Sequence, residues 1–305
     1  HPQVAILPFE YRFIIDPDGI VDFYRGYVST WSPYLADRRL KRLESLLNHL
    51  AEEPLSHRIL GRVIELLDPN GQILTPRSYH GWNLDNHLPN FKRHTRSLMD
   101  DLIEFRFPGR WVGTEGYTWF PQLYFSGPQA KERLANVLGG FIRVVIGDFL
   151  TKNGKTYYVE DNTWNFLFAQ ELIEIIPEAK ILHIYRDPRD VVASFIHQRW
   201  CPQDIRQAAI WYRSLMSRWF HLREQLPDGS YYECSLENLV GSPEKVLGEV
   251  CAFAGIEYHH AMLDSKLSKR ESHSGRWQGE FDKDEKRLIE HILSDFIEAL
   301  GYCRS

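Results

Sequence analysis

The second half of the sequence contains Lys180-Ile-Leu-His-Ile-Tyr-Arg-Asp-Pro-Arg-Asp190, which carries the clearest structural signal in the chain. The residues up to Tyr185 form a nearly continuous apolar run, as is typical of a strand buried in a parallel sheet. Asp187 suits the N-cap of a helix and Pro188 its first position. The stretch therefore predicts a strand that leads directly into a helix.

Two side chains at this turn are suited to holding an anion. Arg186 would lie at the carboxyl end of the strand, where α/β sheets bind their ligands. Ser194 follows eight residues later, near the second turn of the helix. An arginine can bind two phosphate oxygens, a serine can donate a third hydrogen bond, and a helix N-terminus favours negative charge. The pattern indicates a phosphate site, although a capped helix start with a surface ion pair would explain the same residues.

The rest of the chain alternates strands with helices. Apolar runs predict strands at 3–7, 156–159, 180–185 and 231–234. Helical spacing predicts helices at 35–53, 57–67, 84–105, 128–150, 165–176, 188–198, 203–226, 243–254 and 282–300. This order predicts an α/β fold, a parallel sheet with helices on both faces. Residues 107–127 are aromatic and broken by glycines, and are predicted to be a loop that lines a substrate pocket or packs on the core, with Trp119 as a candidate substrate contact.

Composition excludes several classes of partner. The 305 residues carry 36 basic and 41 acidic side chains, a net charge of −5, which argues against nucleic acid as the main partner. No run approaches the roughly 18 apolar residues of a membrane span. The four cysteines form no C-x-x-C pair and no zinc-site spacing, so we expect no metal and a reducing, cytoplasmic location.

The central stretch resembles a segment of a known family. Ala179–Ser194 is similar to the 3′-phosphate-binding segment of sulfotransferases that use 3′-phosphoadenosine 5′-phosphosulfate (PAPS), of the bacterial and protein-tyrosine type. Further similar segments follow the family's order, and together they span roughly residues 156–300: 160–165, 236–255, Lys269-Arg270 and Gly275-Arg276-Trp277. The resemblance implies that Arg186, Ser194, Arg270, Gly275, Arg276 and Trp277 bind the nucleotide.

The resemblance also implies an architecture. It implies one sulfotransferase domain over residues 1–305, of the P-loop type, with a mainly helical acceptor-side insertion at 35–150. The family's phosphate loop, of R-S-G-T-T type in these members, does not occur in the sequence, and neither does G-x-x-x-x-G-K-[ST]. His1-Pro2 looks like the continuation that follows this loop in relatives. We therefore expect the first strand, loop and helix to be missing from an N-terminally truncated chain.

Glu10 is the candidate catalytic base. The protein-tyrosine branch uses a glutamate in an E-x-R context, which Glu10-Tyr11-Arg12 matches, and Arg12 would contact the substrate. A carboxylate can remove the proton of a weakly nucleophilic acceptor as it attacks. A surface ion pair after a strand would give the same pattern. The other candidate bases, which have no supporting sequence context, are His80, His87 and His94.

The resemblance implies transfer of a sulfuryl group from PAPS to a hydroxyl or amine of a small-molecule or peptide acceptor, in line and without a metal. Two alternatives stay open. A chain without the phosphate loop could be an inactive nucleotide-binding remnant. A small-molecule kinase of related architecture would instead need a Walker loop and metal-dependent ATP turnover. The acceptor and the oligomeric state are not predicted.

Overall fold

The structure, a computed structural model, describes residues 1–8, 10–53, 55–67, 82–113, 121–264 and 272–304. Three candidate site residues from the sequence lie outside this part of the chain: His80, Trp119 and Arg270. The chain divides into two compact units. The N-terminal unit comprises Gln3–Trp164 and Glu174–Pro177, and the C-terminal unit comprises His1–Pro2, Asn165–Ile173 and Glu178–Ser305.

The N-terminal unit is mainly helical. In chain order its elements are β1 (Val4–Ala5), α1 (Arg12–Ile15), α2 (Ile20–Ser29), α3 (Pro33–Ala51), α4 (Leu55–Leu67), α5 (Leu84–His87), α6 (Phe91–Leu102), β2 (Phe105–Pro108), β3 (Gln122–Phe125), α7 (Lys131–Asn153) and β4 (Tyr157–Tyr158). Strands β1 and β4 pair in parallel, with Val4 opposite Tyr157 and Ala5 opposite Tyr158. Helices α1 and α2 were not predicted. The predicted helical insertion at 35–150 stays a prediction.

The core of this unit is built from apolar helix faces. Helix α3 starts where Ser32 accepts a hydrogen bond from the Leu35 amide at 3.2 Å. Four of its leucines at helical spacing are fully buried: Leu40, Leu43, Leu47 and Leu50. Three rings meet beside it: Phe13 lies 5.3 Å from Phe91 and 5.8 Å from Phe141 between ring centroids. These contacts fix helices α1, α6 and α7 against one another.

The prediction of a loop at 107–127 was wrong at both ends. Strands β2 and β3 form an antiparallel hairpin in which Phe105 is opposite Phe125, with stacked rings 4.7 Å apart. Asp37 of α3 is fully buried and accepts a hydrogen bond from the Tyr124 amide at 2.8 Å. Cross-strand aromatic pairing and this long-range anchor stabilise strands that glycine and proline disfavour locally.

Helix α7 is long and apolar. By length and composition it could cross a membrane, a test that core helices of soluble proteins also pass. Here it packs inside its unit, since residues such as Leu138, Ile142 and Val145 are buried. At Gly139, an added Cβ would lie 2.1 Å from the carbonyl oxygen of Ile175. The absence of a side chain allows this close approach.

The C-terminal unit alternates strands and helices. Its elements are a 3-10 helix (Asn165–Phe168), α8 (Ala169–Ile175, whose last two residues fall in the N-terminal unit), β5 (Ile181–Tyr185), α9 (Pro188–Phe195), α10 (Ile205–Arg223), β6 (Tyr231–Ser235), α11 (Leu236–Gly241), α12 (Pro243–Ala254), a second 3-10 helix (His260–Asp264), α13 (Trp277–Glu280) and α14 (Lys283–Ala299). Strands β5 and β6 are parallel, with Ile181 opposite Tyr231 and Tyr185 opposite Ser235. The α/β class predicted from the sequence is confirmed.

Strand β5 differs from its prediction in burial. Ile181 and His183 are buried, whereas Leu182 and Ile184 are 41% and 48% exposed. Only one face of the strand is therefore covered, because successive side chains point to opposite faces. A continuous apolar run predicted the strand correctly but did not show which face is buried.

A charged network lies on the buried face of this strand pair. Glu233 of β6 accepts hydrogen bonds from Trp219 Nε1 and Arg223 Nη1, both at 2.7 Å, and its Oε1 lies 2.8 Å from His183 Nδ1. Burial works to raise the pKa of Glu233, but these partners outweigh it and lower the pKa. The network ties α10 to both strands.

Candidate functional site

The predicted phosphate site is a strand–turn–helix in the C-terminal unit. Asp187 caps α9, with its side chain accepting from the Arg189 amide at 2.9 Å, and Pro188 is the first helical residue. Arg186 follows β5 and its Nη2 donates to the carbonyl oxygen of Asp190 at 2.9 Å. Ser194 lies near the end of α9 and is half-buried. The predicted elements are confirmed, while the binding roles of Arg186 and Ser194 stay predictions.

Arg189 is not a surface residue. It is 4% exposed and binds Asp187 through two hydrogen bonds, from Nε at 3.0 Å and from Nη2 at 2.8 Å. Nη1 donates to Glu290 at 2.5 Å, and Nη2 also donates to the carbonyl oxygen of Cys303 at 3.0 Å. The second arginine of R-D-P-R-D is thus committed to a buried network that joins α9 to α14. The interpretation of this motif as a surface ion pair is wrong for Arg189.

The segment Gly275–Trp277 lies against the start of α9. The Gly275 amide donates to Asp190 Oδ2 at 2.7 Å, and the Trp277 amide donates to Asp190 Oδ1 at 3.0 Å. The Trp277 ring is buried, with the Arg189 guanidinium carbon 3.9 Å from its centroid. The structure therefore brings this predicted nucleotide segment to the same helix turn as Arg186, across about 85 residues of sequence.

The side chains of this segment are placed differently from one another. Gly275 has a φ of +81°, a left-handed conformation that favours glycine. The Arg276 guanidinium pairs with Glu280, one turn along α13. Trp277 packs against Arg189 and shows little surface to a ligand. The roles predicted for these three residues are not tested by their positions.

The candidate base lies in the N-terminal unit. Glu10 follows β1, and its Oε2 lies 2.6 Å from Arg12 Nη2, with side chains 27% and 30% exposed respectively. The backbone carbonyl of Glu10 accepts a hydrogen bond from Trp82 Nε1 at 3.3 Å. The predicted pair is present and partly open to solvent. It is compatible with a base and with a surface ion pair.

A second carboxylate, that of Glu160, lies beside the Glu10–Arg12 segment. Because β1 and β4 are parallel, their carboxyl ends meet at one edge, and Glu160 follows β4 there. Its Oε1 accepts a hydrogen bond from the Tyr11 amide at 2.6 Å, and its Oε2 accepts one from the Tyr158 hydroxyl at 2.5 Å. The Tyr11 and Tyr158 rings stack at 5.1 Å. Glu160 therefore fixes the backbone next to Glu10.

Burial raises the pKa of Glu160 to about 7. The hydrogen bonds from Tyr158 and Tyr11 work to lower it, and the negative charges of Glu10 and Asp161 raise it further. A carboxyl with such a pKa exchanges protons near neutral pH, as acid–base groups in active sites do. Glu160 was not among the residues predicted from the sequence to act in catalysis or binding. The available signal was a glutamate directly after the short strand predicted at 156–159.

The other candidate bases have different surroundings. His94 of α6 has Nε2 2.9 Å from Asp148 Oδ2, on a helix that packs against α7. His87 ends α5. Within the described ranges, no group of three or more histidine, cysteine or acidic side chains could hold a metal ion. All four cysteines are free thiols.

Comparison with known proteins identifies relatives. A sequence model described as the sulfotransferase family matches residues 57–260, well over half of the chain. Two curated proteins, the omega-hydroxy-beta-dihydromenaquinone-9 sulfotransferases Stf3 of Mycobacterium bovis and Mycobacterium tuberculosis, are each 22% identical over 245 residues, or 75% of this chain. The chain spans 61% of the length of these relatives.

Solved structures give weaker similarities. The sulfotransferase domain of the curacin biosynthetic pathway is 15% identical, with a TM-score of 0.40 over 58% of this chain and 76% of that one. The sulfotransferase domain of the Synechococcus PCC 7002 olefin synthase is 15% identical, with a TM-score of 0.35 over 81% and 87%. Sulfotransferase STF9 of Mycobacterium avium is 14% identical, with a TM-score of 0.38 over 84% and 66%.

Proposed function

We propose that this chain, which belongs to the sulfotransferase family, transfers a sulfuryl group from PAPS to an acceptor hydroxyl or amine. One observation carries the proposal. Arg186 stands at the carboxyl end of a parallel strand, and its guanidinium is hydrogen-bonded to the first turn of the capped helix that follows. A cation fixed beside a helix N-terminus is suited to a phosphate.

In this proposal the C-terminal unit holds the nucleotide. The guanidinium of Arg186 and the hydroxyl of Ser194 bind the 3′-phosphate, and Arg270, Gly275, Arg276 and Trp277 form the segment that covers it. Arg189 does not take part directly, since its donors are engaged with Asp187, Glu290 and Cys303. The affinity for the phosphate is therefore expected to depend on Arg186 far more than on Arg189.

Glu10 is proposed to act on the acceptor. Its carboxylate takes the proton as the acceptor oxygen or nitrogen attacks sulfur, the sulfur–oxygen bond to the 5′-phosphate breaks, and adenosine 3′,5′-bisphosphate leaves. Like phosphoryl transfer, this reaction depends on positioning and charge stabilisation and needs no covalent enzyme intermediate. Arg12, paired with Glu10, is the proposed substrate contact. Trp119 is a second proposed substrate contact.

The acceptor class is proposed as a small molecule or peptide. The curated relatives are named for a hydroxylated menaquinone, which supports testing alcohol acceptors first. The net charge of −5 argues against nucleic acid as a partner. The four free thiols support a cytoplasmic location.

The nucleotide site is tested by binding. Arg186→Ala and Ser194→Ala should each weaken binding of adenosine 3′,5′-bisphosphate in calorimetry, by at least about tenfold for Arg186, because a charge-assisted contact is lost. Arg287→Ala and Ser214→Ala change the same residue types at exposed positions of the same unit and serve as controls. Unchanged affinity in both site variants would sink the assignment.

The two alternatives have their own signatures. An inactive remnant would bind the nucleotide but transfer no sulfate from labelled PAPS to any acceptor. A small-molecule kinase would turn over ATP only in the presence of a divalent metal. Transfer of label from PAPS, with no ATP turnover, is the result that the proposal expects.

A further inference from the structure

We propose that Asp190 is the positioning residue of the nucleotide site, and that its carboxylate holds the Gly275–Trp277 segment against the helix turn that carries Arg186. The inference rests on the proposed function and names the device that assembles the site. It concerns contacts within the C-terminal unit alone.

Asp190 is bonded on two sides. Its backbone carbonyl accepts the hydrogen bond from Arg186 Nη2 at 2.9 Å. Its two carboxylate oxygens each accept one backbone amide, from Gly275 at 2.7 Å and from Trp277 at 3.0 Å. One residue thus orients the anion-binding arginine and also fixes the backbone of a segment distant in sequence.

The buried position of the carboxylate favours a structural role, beside its attraction to Arg186 and to the N-terminal end of α9. Asp190 is 1% exposed, so it cannot serve as a solvated surface charge. It lies at the third position of α9, but the helix is already capped by Asp187. Burial raises the pKa of Asp190, with the two amide hydrogen bonds offsetting part of this effect. Burial of the charged Asp190 carboxylate therefore lowers the stability of the fold, while its hydrogen bonds position the Gly275–Trp277 segment.

Neighbouring residues add to this attachment. The Arg189 guanidinium pairs with the Asp187 carboxylate, and its carbon lies over the face of the Trp277 ring, 3.9 Å from the centroid. Just before the segment, the hydroxyls of Ser272 and Ser274 lie 2.9 Å apart. The segment is thus attached to α9 through backbone amides, which leaves the Arg276 side chain able to exchange Glu280 for an incoming anion.

Asp190→Asn tests the inference with almost no change of shape. One carboxylate oxygen becomes an NH₂ group that faces a backbone N–H, so one of the two amide contacts is lost. Affinity for adenosine 3′,5′-bisphosphate should fall by about tenfold or more, as expected when a buried donor loses its partner. Affinity for adenosine 5′-phosphate, which lacks the 3′-phosphate, should change by less than about twofold. Calorimetry with the two nucleotides measures this ratio.

The matched control is Asp204→Asn. Asp204 caps α10 in the same unit, and its side chain accepts from the Gln207 amide at 2.9 Å, on an exposed surface. Since asparagine and aspartate cap equally well, neither affinity should change. An equal loss for both nucleotides in Asp190→Asn, or no loss for either, would overturn the inference. If the unaltered protein binds neither nucleotide, the proposed function fails and the inference fails with it.

A second measurement needs no variant. Hydrogen exchange of the unaltered chain should show the Gly275 and Trp277 amides protected, and adenosine 3′,5′-bisphosphate should slow their exchange further. Adenosine 5′-phosphate should not. Fast exchange of both amides in the presence of saturating adenosine 3′,5′-bisphosphate contradicts the proposed attachment, even if Asp190→Asn does not fold.

Discussion

Glu160→Gln should make the protein more stable at pH 8 than the unaltered chain, but not at pH 4. Glutamine has nearly the same shape as glutamate, and its carbonyl oxygen can still accept a hydrogen bond from the Tyr11 amide. Its NH₂ group can donate to the Tyr158 hydroxyl, which donates to Glu160 in the unaltered chain. The substitution therefore removes a charge and keeps the packing.

The size of the effect follows from the pKa of Glu160, which is raised from 4.5 to about 7 by burial first of all. Between these values the folded state binds more protons than the unfolded state, so stability falls as pH rises. The contribution of Glu160 is fully present below pH 4.5 and is lost as pH rises through about 7. A shift of this size corresponds to at most about 3 kcal/mol.

Thermal unfolding followed by circular dichroism at several pH values measures this difference. For a chain of 305 residues, about 3 kcal/mol corresponds to roughly 5 °C. The melting temperature of Glu160→Gln, relative to the unaltered protein, should therefore rise by up to about 5 °C between pH 4 and pH 8. Glu132→Gln changes an exposed glutamate of the same unit and should show no such trend. A difference that is constant with pH, or that reverses, would refute the buried, charge-disfavouring environment of Glu160.

Two further predictions concern the cores of the units. Gly139→Ala should destabilise the protein by about 1–3 kcal/mol in a urea titration, because its Cβ would clash with the Ile175 carbonyl. The neighbouring Gly140→Ala is the control: its Cβ would meet open space, so this variant should be as stable as the unaltered protein or more stable. Glu233→Gln should cost about 1–3 kcal/mol at neutral pH, since Arg223 loses its charged partner. Because the pKa of Glu233 is lowered, this loss should shrink in the same titration as the pH falls below the ordinary pKa of a glutamate; a loss independent of pH would contradict the lowered pKa.

Local patterns predicted much of the fold. The capped start of α9 was readable because Asp187 and Pro188 have strong positional preferences, and strand β5 was readable from its apolar run. Helices α3, α10, α12 and α14 were predicted to within a few residues, since their apolar spacing is regular. These features depend on residues close together in the sequence.

What the sequence did not reveal depends on distant contacts. The hairpin of β2 and β3 is stabilised by Phe105 opposite Phe125 and by Asp37 of α3, far away in the sequence. The buried state of Arg189 requires Glu290, and the role inferred for Asp190 requires amides about 85 residues further on. No periodicity connects such positions. Glu160 was missed for the same reason, because its environment is formed by the pairing of β4 with β1.

Sulfuryl transfer by this chain is tested most directly by following labelled sulfate from PAPS to a panel of alcohol, phenol and amine acceptors. We expect labelled product with at least one acceptor, formed together with adenosine 3′,5′-bisphosphate, and a strong loss of product in Arg186→Ala and in Glu10→Gln. Binding of the nucleotide without label in any acceptor would contradict the claim, and so would undiminished transfer by Arg186→Ala.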